Sequence, residues 1–235
     1  MKVIKFGGTS VANPDSLSLV IDIIKNSDQR QLVVVSALSG ITDLLSKMAK
    51  RACNSKENHK EFLNIIEQRH KTLIDNFIPV AKQSEIKSFL KARINELEEI
   101  LDSLFKLNEL TPKSNSKILS FGEVLSSNII FKILQCRGFN IIFKDTREII
   151  FKKTVNDREV VDDNLSEKKT ISFLKKNKYK IILFPGFIAS DDEGNTVTLG
   201  RGGSDLTASL LASFSRHLRR KLNQAKLKEV LSKRS

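Results

Sequence analysis

The sequence predicts an α/β fold, a mainly parallel sheet covered by helices, on three observations. The first fifty residues read strand, helix, strand, helix. The strand segments are short apolar runs rich in β-branched residues, the pattern of strands buried on both faces. Polar, glycine-bearing segments follow at strand-to-helix junctions, where parallel α/β sheets gather ligands and helix N-termini present free N–H groups.

The elements follow in order. Lys2–Phe6 is an apolar run ending in Gly7-Gly8, hence a buried strand. Asn13-Pro14-Asp15 starts a helix, with Asn as N-cap, Pro at the first helical position and an acid in the first turn. Leu17, Val20, Ile21 and Ile24 continue it at helical spacing. Leu32–Val35 is a second strand, and a helix containing Leu44, Leu45 and Met48 follows Ser36-Ala37-Leu38-Ser39-Gly40. From about Glu57 to Phe105 the pattern is helical throughout. One stripe runs through Phe62, Ile65, Ile66, Arg69 and Leu73, and another through Ile86, Leu90, Ile94, Leu97, Leu101 and Leu104. These predict an antiparallel pair joined near Pro79 and projecting from the sheet, with nothing in it that demands chemistry. Pro112 breaks the helical pattern, and a further helix is expected from about Ser116 to Gln135, stopped by Arg137-Gly138. Strands are expected at Phe139–Phe143 and Ile181–Phe184. A hairpin is expected with arms Phe187–Ala189 and Thr196–Thr198, then a helix through Leu211.

Composition excludes several classes. The 235 residues are 40% hydrophobic and 29% charged, a globular balance. No window approaches the roughly 18 uncharged apolar residues of a membrane span. The N-terminus reads as a strand and glycine turn rather than a signal peptide. Cys53 and Cys136 cannot form a disulfide framework and are read as reduced buried thiols, so a cytoplasmic protein is expected. His59, His70 and His217 show no metal-ligand spacing, and no protein metal site is expected. The net charge of +13 invites a nucleic-acid reading. More than half of it, however, sits in the tail at Arg216, Arg219, Arg220, Lys221, Lys226, Lys228, Lys233 and Arg234, opposed by Glu229 alone. No aromatic-plus-basic module accompanies it, so nucleic acid ranks last among partners.

Three segments carry candidate chemistry. In Lys5-Phe6-Gly7-Gly8-Thr9-Ser10 a cation on an apolar strand precedes glycines that let a backbone approach an anion. A buried Lys without an anion is costly, so a phosphate role outweighs a strand-edge Lys facing solvent. In Ser120-Phe121-Gly122-Glu123, periodicity alone reads Glu123 as an exposed acid on an amphipathic helix. Gly122 costs that helix about 1 kcal/mol relative to Ala, which hints at a close approach. In Gly200-Arg201-Gly202-Gly203-Ser204-Asp205 an Arg fork among glycines suits a carboxylate or phosphate, although Ser204 and Asp205 also suit helix caps.

Together with Val34-Val35-Ser36-Ala37 through Gly40-Ile41-Thr42 and Gly186-Phe187-Ile188, these segments resemble aspartate kinase in order and spacing, over about residues 1–212. The resemblance is specific within the wider amino-acid-kinase superfamily. It is closest to the monofunctional enzymes and the kinase part of aspartate kinase–homoserine dehydrogenase fusions. It implies a three-layer sandwich and transfer of the ATP γ-phosphoryl group to the β-carboxylate of L-aspartate, the step that opens lysine, threonine and methionine biosynthesis. By the resemblance, Lys5 stabilises the transferring phosphoryl group and Asp205 holds Lys5. Gly7, Gly8 and Ser10 line the phosphate side. Arg201 clamps the substrate carboxylate, Glu123 takes its ammonium group, and Thr42, Ser204 and, more weakly, Ser36 complete the pocket. ATP is the phosphoryl donor, with Mg²⁺ bridging its phosphates.

The expected organisation is a catalytic part over 1–213, with a helical insertion at about 57–106, and a basic tail over 214–235 that does not resemble the family. The family continues into a strand and a Trp-Thr-Asp-containing turn that holds the nucleotide, and this sequence has no Trp. The expectation is therefore an incomplete fold that works with a homo-oligomeric or complementing chain. The alternative is a truncated, non-catalytic remnant that at most binds aspartate or a partner chain.

Overall fold

The computed structural model describes residues 1–52, 59–156 and 158–232, with side chains as far as residue 220. Its centre is a four-stranded parallel sheet. The strands are β1 (Lys2–Phe6), β2 (Gln31–Val35), β3 (Ile141–Phe143) and, after a hairpin β4 (Lys152–Val155) and β5 (Arg158–Val161), β6 (Ile181–Pro185). The sheet order is β1-β2-β6-β3. Phe6 pairs with Val35 and Val35 with Pro185, so three carboxyl ends finish level with one another.

The period of two along each central strand divides the core. Val33, Val35, Ile181 and Leu183 face one cluster, whereas Leu32, Val34, Ile182 and Phe184 face the other. Helices α1 (Pro14–Lys25), α2 (Ile41–Ala52) and α5 (Pro112–Cys136) fill the first cluster. Helices α6 (Asp163–Lys176) and α7 (Gly203–Ser232) close the second. The result is the three-layer α/β sandwich that the alternating elements imply.

Local chemistry explains the element ends. Asn13 caps α1 by accepting from the Ser16 N–H at 2.9 Å, with Pro14 in the first turn. Pro112 starts α5 rather than breaking it, because Thr111 accepts from the Ser114 N–H at 3.1 Å and a first-turn Pro needs no donor. Gly138 follows α5 in the left-handed region, at φ 80°.

The helical pair is α3 (His59–Phe77) and α4 (Ser84–Leu107), joined through a short 3-10 turn at Val80–Lys82. Glu57, where the helical pattern was expected to open, lies outside the described residues, as does Cys53. The pair lies outward of the sheet but does not stand clear of the protein. Leu63, Ile66, Leu73 and Ile74 of α3 and Leu90, Ile94, Leu97 and Leu101 of α4 are buried in the same cluster as α2 and α5. His70 is fully buried there, its Nδ1 2.7 Å from the Ile66 carbonyl, and burial pushes its imidazole down to about 4.

Four details differ from the sequence reading. The hairpin β4–β5 and helix α6 have no counterpart in it. Their strands are short and mostly exposed, and they lack the apolar run that marks the central ones. Helix α7 runs on past Leu211 to Ser232 as one element, without a break at residue 213. Cys136 is a free thiol but only half-buried. Helix α5 is long and apolar enough to cross a membrane, yet 67% of that window is buried between sheet and helices, so it is read as a core helix.

Candidate active site

The level carboxyl ends of β1, β2 and β6 open into a cleft of about 730 Å³. The loop Ser36–Gly40 and the first turns of α2 form one wall. The loop Gly200–Gly202 and the start of α7 form the other, and the side of α5 contributes Glu123. Lys5, Gly8, Ser36, Thr42, Glu123, Arg201, Ser204 and Asp205 all line this cleft. Gly7 and Ser10 do not. Gly7 lies beside the Lys5 amine, 3.6 Å from it at the position of an added Cβ, and Ser10 donates its N–H to the Gly7 carbonyl at 3.0 Å.

Lys5 is the last but one residue of β1, between the apolar Ile4 and Phe6, and its amine lies 3.1 Å from an Asp205 carboxylate oxygen. The Lys5 side chain is 26% exposed and that of Asp205 69%, so the pair adds little to stability. What it does is hold the amine at the mouth of the cleft, between the glycine turn after β1 and the start of α7. Gly8 is required by close approach. An added Cβ would sit 2.8 Å from the Ala37 carbonyl oxygen.

Glu123 is not the exposed acid that periodicity suggests. It is 3% exposed, and Oε1 accepts the Ala37 N–H at 3.2 Å. Oε2 is buried without a partner. Burial pushes this carboxyl up to about 8, outweighing the opposite pull of the Ala37 N–H. The local reason is Gly122, where a Cβ would lie 2.8 Å from the Ala37 Cβ. The missing side chain lets α5 press against the Ser36–Gly40 loop, and the next residue is carried under the cleft floor. Ser126 reinforces the contact, its hydroxyl donating to the Ser36 carbonyl at 2.8 Å.

On the opposite wall Gly200 and Gly202 take φ of 77° and 71°, conformations that favour glycine. They carry Arg201 over an exposed arch into the Gly203–Asp205 helix start. Gly186 makes room for Ser204, whose Oγ would lie 2.6 Å from an added Cβ. Phe187 lines the cleft at φ 67°, a costly conformation for a bulky residue. It is held there by a Thr207 hydroxyl that accepts its N–H at 3.1 Å. Asp43, Ser46, Leu119, Phe187 and Thr198 line the cleft without having been singled out as site residues in the sequence. Ser46 lies one turn beyond Thr42 on α2, a signal that helical spacing from Thr42 would have given.

The arrangement offers a buried, half-satisfied carboxylate at one depth and two basic groups, Lys5 and Arg201, nearer the mouth. It therefore suits a small ligand that carries an ammonium group and more than one anion. The family model described as the amino acid kinase family matches residues 1–216. The chain belongs to the amino acid kinase family. Among curated relatives of this kinase-family chain, a bifunctional aspartokinase/homoserine dehydrogenase of Buchnera aphidicola is 33% identical over 220 residues, covering 91% of this chain and 27% of that protein. An aspartokinase of Chlamydia pneumoniae is 34% identical over 214 residues, covering 91% of this chain and 45% of that one. Among solved structures, E. coli aspartokinase III in complex with aspartate and ADP superposes with a TM-score of 0.80 at 28% identity, over 91% of this chain and 46% of that chain. The chain thus spans less than half the length of these relatives.

Proposed function

We propose that this chain carries the aspartate-binding and phosphoryl-transfer side of an aspartate kinase, which forms 4-phospho-L-aspartate from L-aspartate and ATP. The observation that carries the reading is Glu123. A buried carboxyl that lines the cleft with one oxygen unpartnered is readied to ionise against a cation, and the α-ammonium group of an amino acid supplies one. The Arg201 fork takes a substrate carboxylate, with Thr42, Ser204 and Ser36 placed to accept or donate around it. The substrate's β-carboxylate is already ionised at neutral pH, so its attack on the γ-phosphorus needs no general base. As the new O–P bond forms, the bond to ADP breaks and charge spreads over the transferring oxygens. Lys5, oriented by Asp205, neutralises that charge, while Gly7, Gly8 and Ser10 furnish the adjoining backbone turn. The turn beside the Lys5 amine carries no side chain at Gly7, which leaves room there for a phosphate chain. Mg²⁺ held by the ATP phosphates would supply further positive charge against the transferring oxygens, beside Lys5.

The relatives' names support a place in lysine, threonine and methionine formation, and the cysteine usage supports a cytoplasmic setting. A homo-oligomer or complementing chain is the proposed source of further nucleotide contacts. The test is a coupled assay of ADP release with ATP, Mg²⁺ and L-aspartate, beside titration of L-aspartate alone. Aspartate-dependent turnover that falls by about 100-fold or more in both Lys5→Ala and Arg201→Ala supports the roles. Turnover unaffected by either substitution sinks them.

A further inference from the structure

The helical pair packs through apolar stripes, yet one polar side chain of α3 reaches the cleft loop. The Arg69 Nη1 donates to the Ser39 carbonyl at 2.7 Å, a short charge-assisted hydrogen bond. The guanidinium also lies 3.9 Å from where a Cβ would stand on Gly40. We infer that Arg69 is a positioning residue, fixing the Ser39–Gly40 peptide and with it the first turn of α2 for the substrate. The inference rests on the functional reading above.

The peptide is held from both sides. The Ser39 N–H donates to the Gly8 carbonyl at 3.1 Å, which ties it to the glycine turn after β1. Its carbonyl is tied to α3 by Arg69. Between these anchors Gly40 takes φ 77°, and the chain enters α2 immediately, with the Leu44 N–H donating to the Gly40 carbonyl at 3.1 Å. Thr42, Asp43 and Ser46 therefore reach the cleft from a turn whose rotation is set by the Ser39–Gly40 peptide. The base of Arg69 is itself rigid, because Ile66, one turn before it, and His70, next to it in α3, are fully buried. A group that holds a binding loop from outside controls affinity through geometry, not contact. The planar fork matters here, since a lysine amine is a point donor on a looser stem.

The experiment compares Arg69→Met, Arg69→Lys and Leu73→Ala with the unsubstituted chain. Three quantities are measured: amide hydrogen exchange of the ligand-free protein, L-aspartate affinity by calorimetry, and melting temperature. Leu73→Ala opens the same helix's packing without touching Ser39. Arg69→Met is expected to speed exchange over residues 39–44 by about tenfold, as for loss of one charged hydrogen bond. It is also expected to weaken L-aspartate by about 10- to 100-fold, the range found when a supporting partner of a ligand-binding group is removed. Arg69→Lys regains part of both. Leu73→Ala lowers the melting temperature more than Arg69→Met and leaves affinity within about twofold, as expected of a packing change away from the site. Unchanged exchange over 39–44 in Arg69→Met overturns the inference, as do affinity losses that merely follow melting temperature across the set. If the unsubstituted chain does not bind L-aspartate, the functional reading fails separately, and the exchange comparison still decides for or against Arg69.

Discussion

The two walls of the cleft are built on opposite principles. The Ser36–Gly40 wall is fastened on every side: to Gly8, to Arg69, to the Glu123 carboxylate and to the Ser126 hydroxyl. The Gly200–Asp205 wall is an exposed arch. An added Cβ on Gly200 or Gly202 would meet nothing within 4 Å. The first wall presents a group that must be placed accurately and kept dry. The second presents Arg201 and Asp205, whose charges act over a longer reach and tolerate movement.

The sharpest way to break this contrast is Glu123→Gln. It removes the charge for the substrate's ammonium group, so L-aspartate affinity should fall by about 100-fold, the scale of a lost charged hydrogen bond in a buried site. The same variant should gain stability at pH 8. Between the ordinary carboxylate value of 4.5 and about 8 the unfolded chain's Glu123 is ionised while the folded one holds its proton. The folded state therefore binds more protons, and stability from this group falls as pH rises through that window, levelling off above about 8. Melting curves between pH 5 and 8 should show a shallower loss in Glu123→Gln than in the unsubstituted chain. A parallel decline would place the ionisation elsewhere.

Next in size is Gly122→Ala. Its Cβ would meet the Ala37 Cβ at 2.8 Å, and the overpacking should outweigh the gain in helix propensity, for a net loss of about 1–2 kcal/mol with weakened aspartate binding. Chemical denaturation measures it. A stabilised Gly122→Ala would show that the fastened wall has slack. Smallest is Gly202→Ala, where only the backbone at φ 71° resists, at about 1 kcal/mol. Because the arch is open, affinity should change less than in Gly122→Ala. A larger change would reverse the contrast between the walls.

Sequence logic reached the arch and the strand ends more readily than the fastened wall. Lys5 stands out because a cation interrupts an apolar strand before two glycines. Arg201 stands out among glycines that only turns and close approaches need. Glu123 was recoverable only through the resemblance, because its burial depends on a contact between α5 and a loop more than eighty residues earlier, and periodicity within one helix cannot register that. Gly122 was the local trace of the contact. Arg69 fell in the apolar stripe of α3, where its spacing signals packing and hides its reach to Ser39. The hairpin β4–β5 carries no such signal because Lys153, Arg158 and Glu159 are exposed and leave no apolar run to mark strands.

The central claim is that a protonated, buried Glu123 becomes the anion that receives the substrate's ammonium group. It is tested most directly by titrating L-aspartate into the chain at pH 7 in two buffers of different ionisation enthalpy. Binding should release about one proton per aspartate, because a carboxyl near 8 must ionise to form the pair, and Glu123→Gln should abolish the release. Aspartate binding with no proton release, or with the same release in Glu123→Gln, would contradict it.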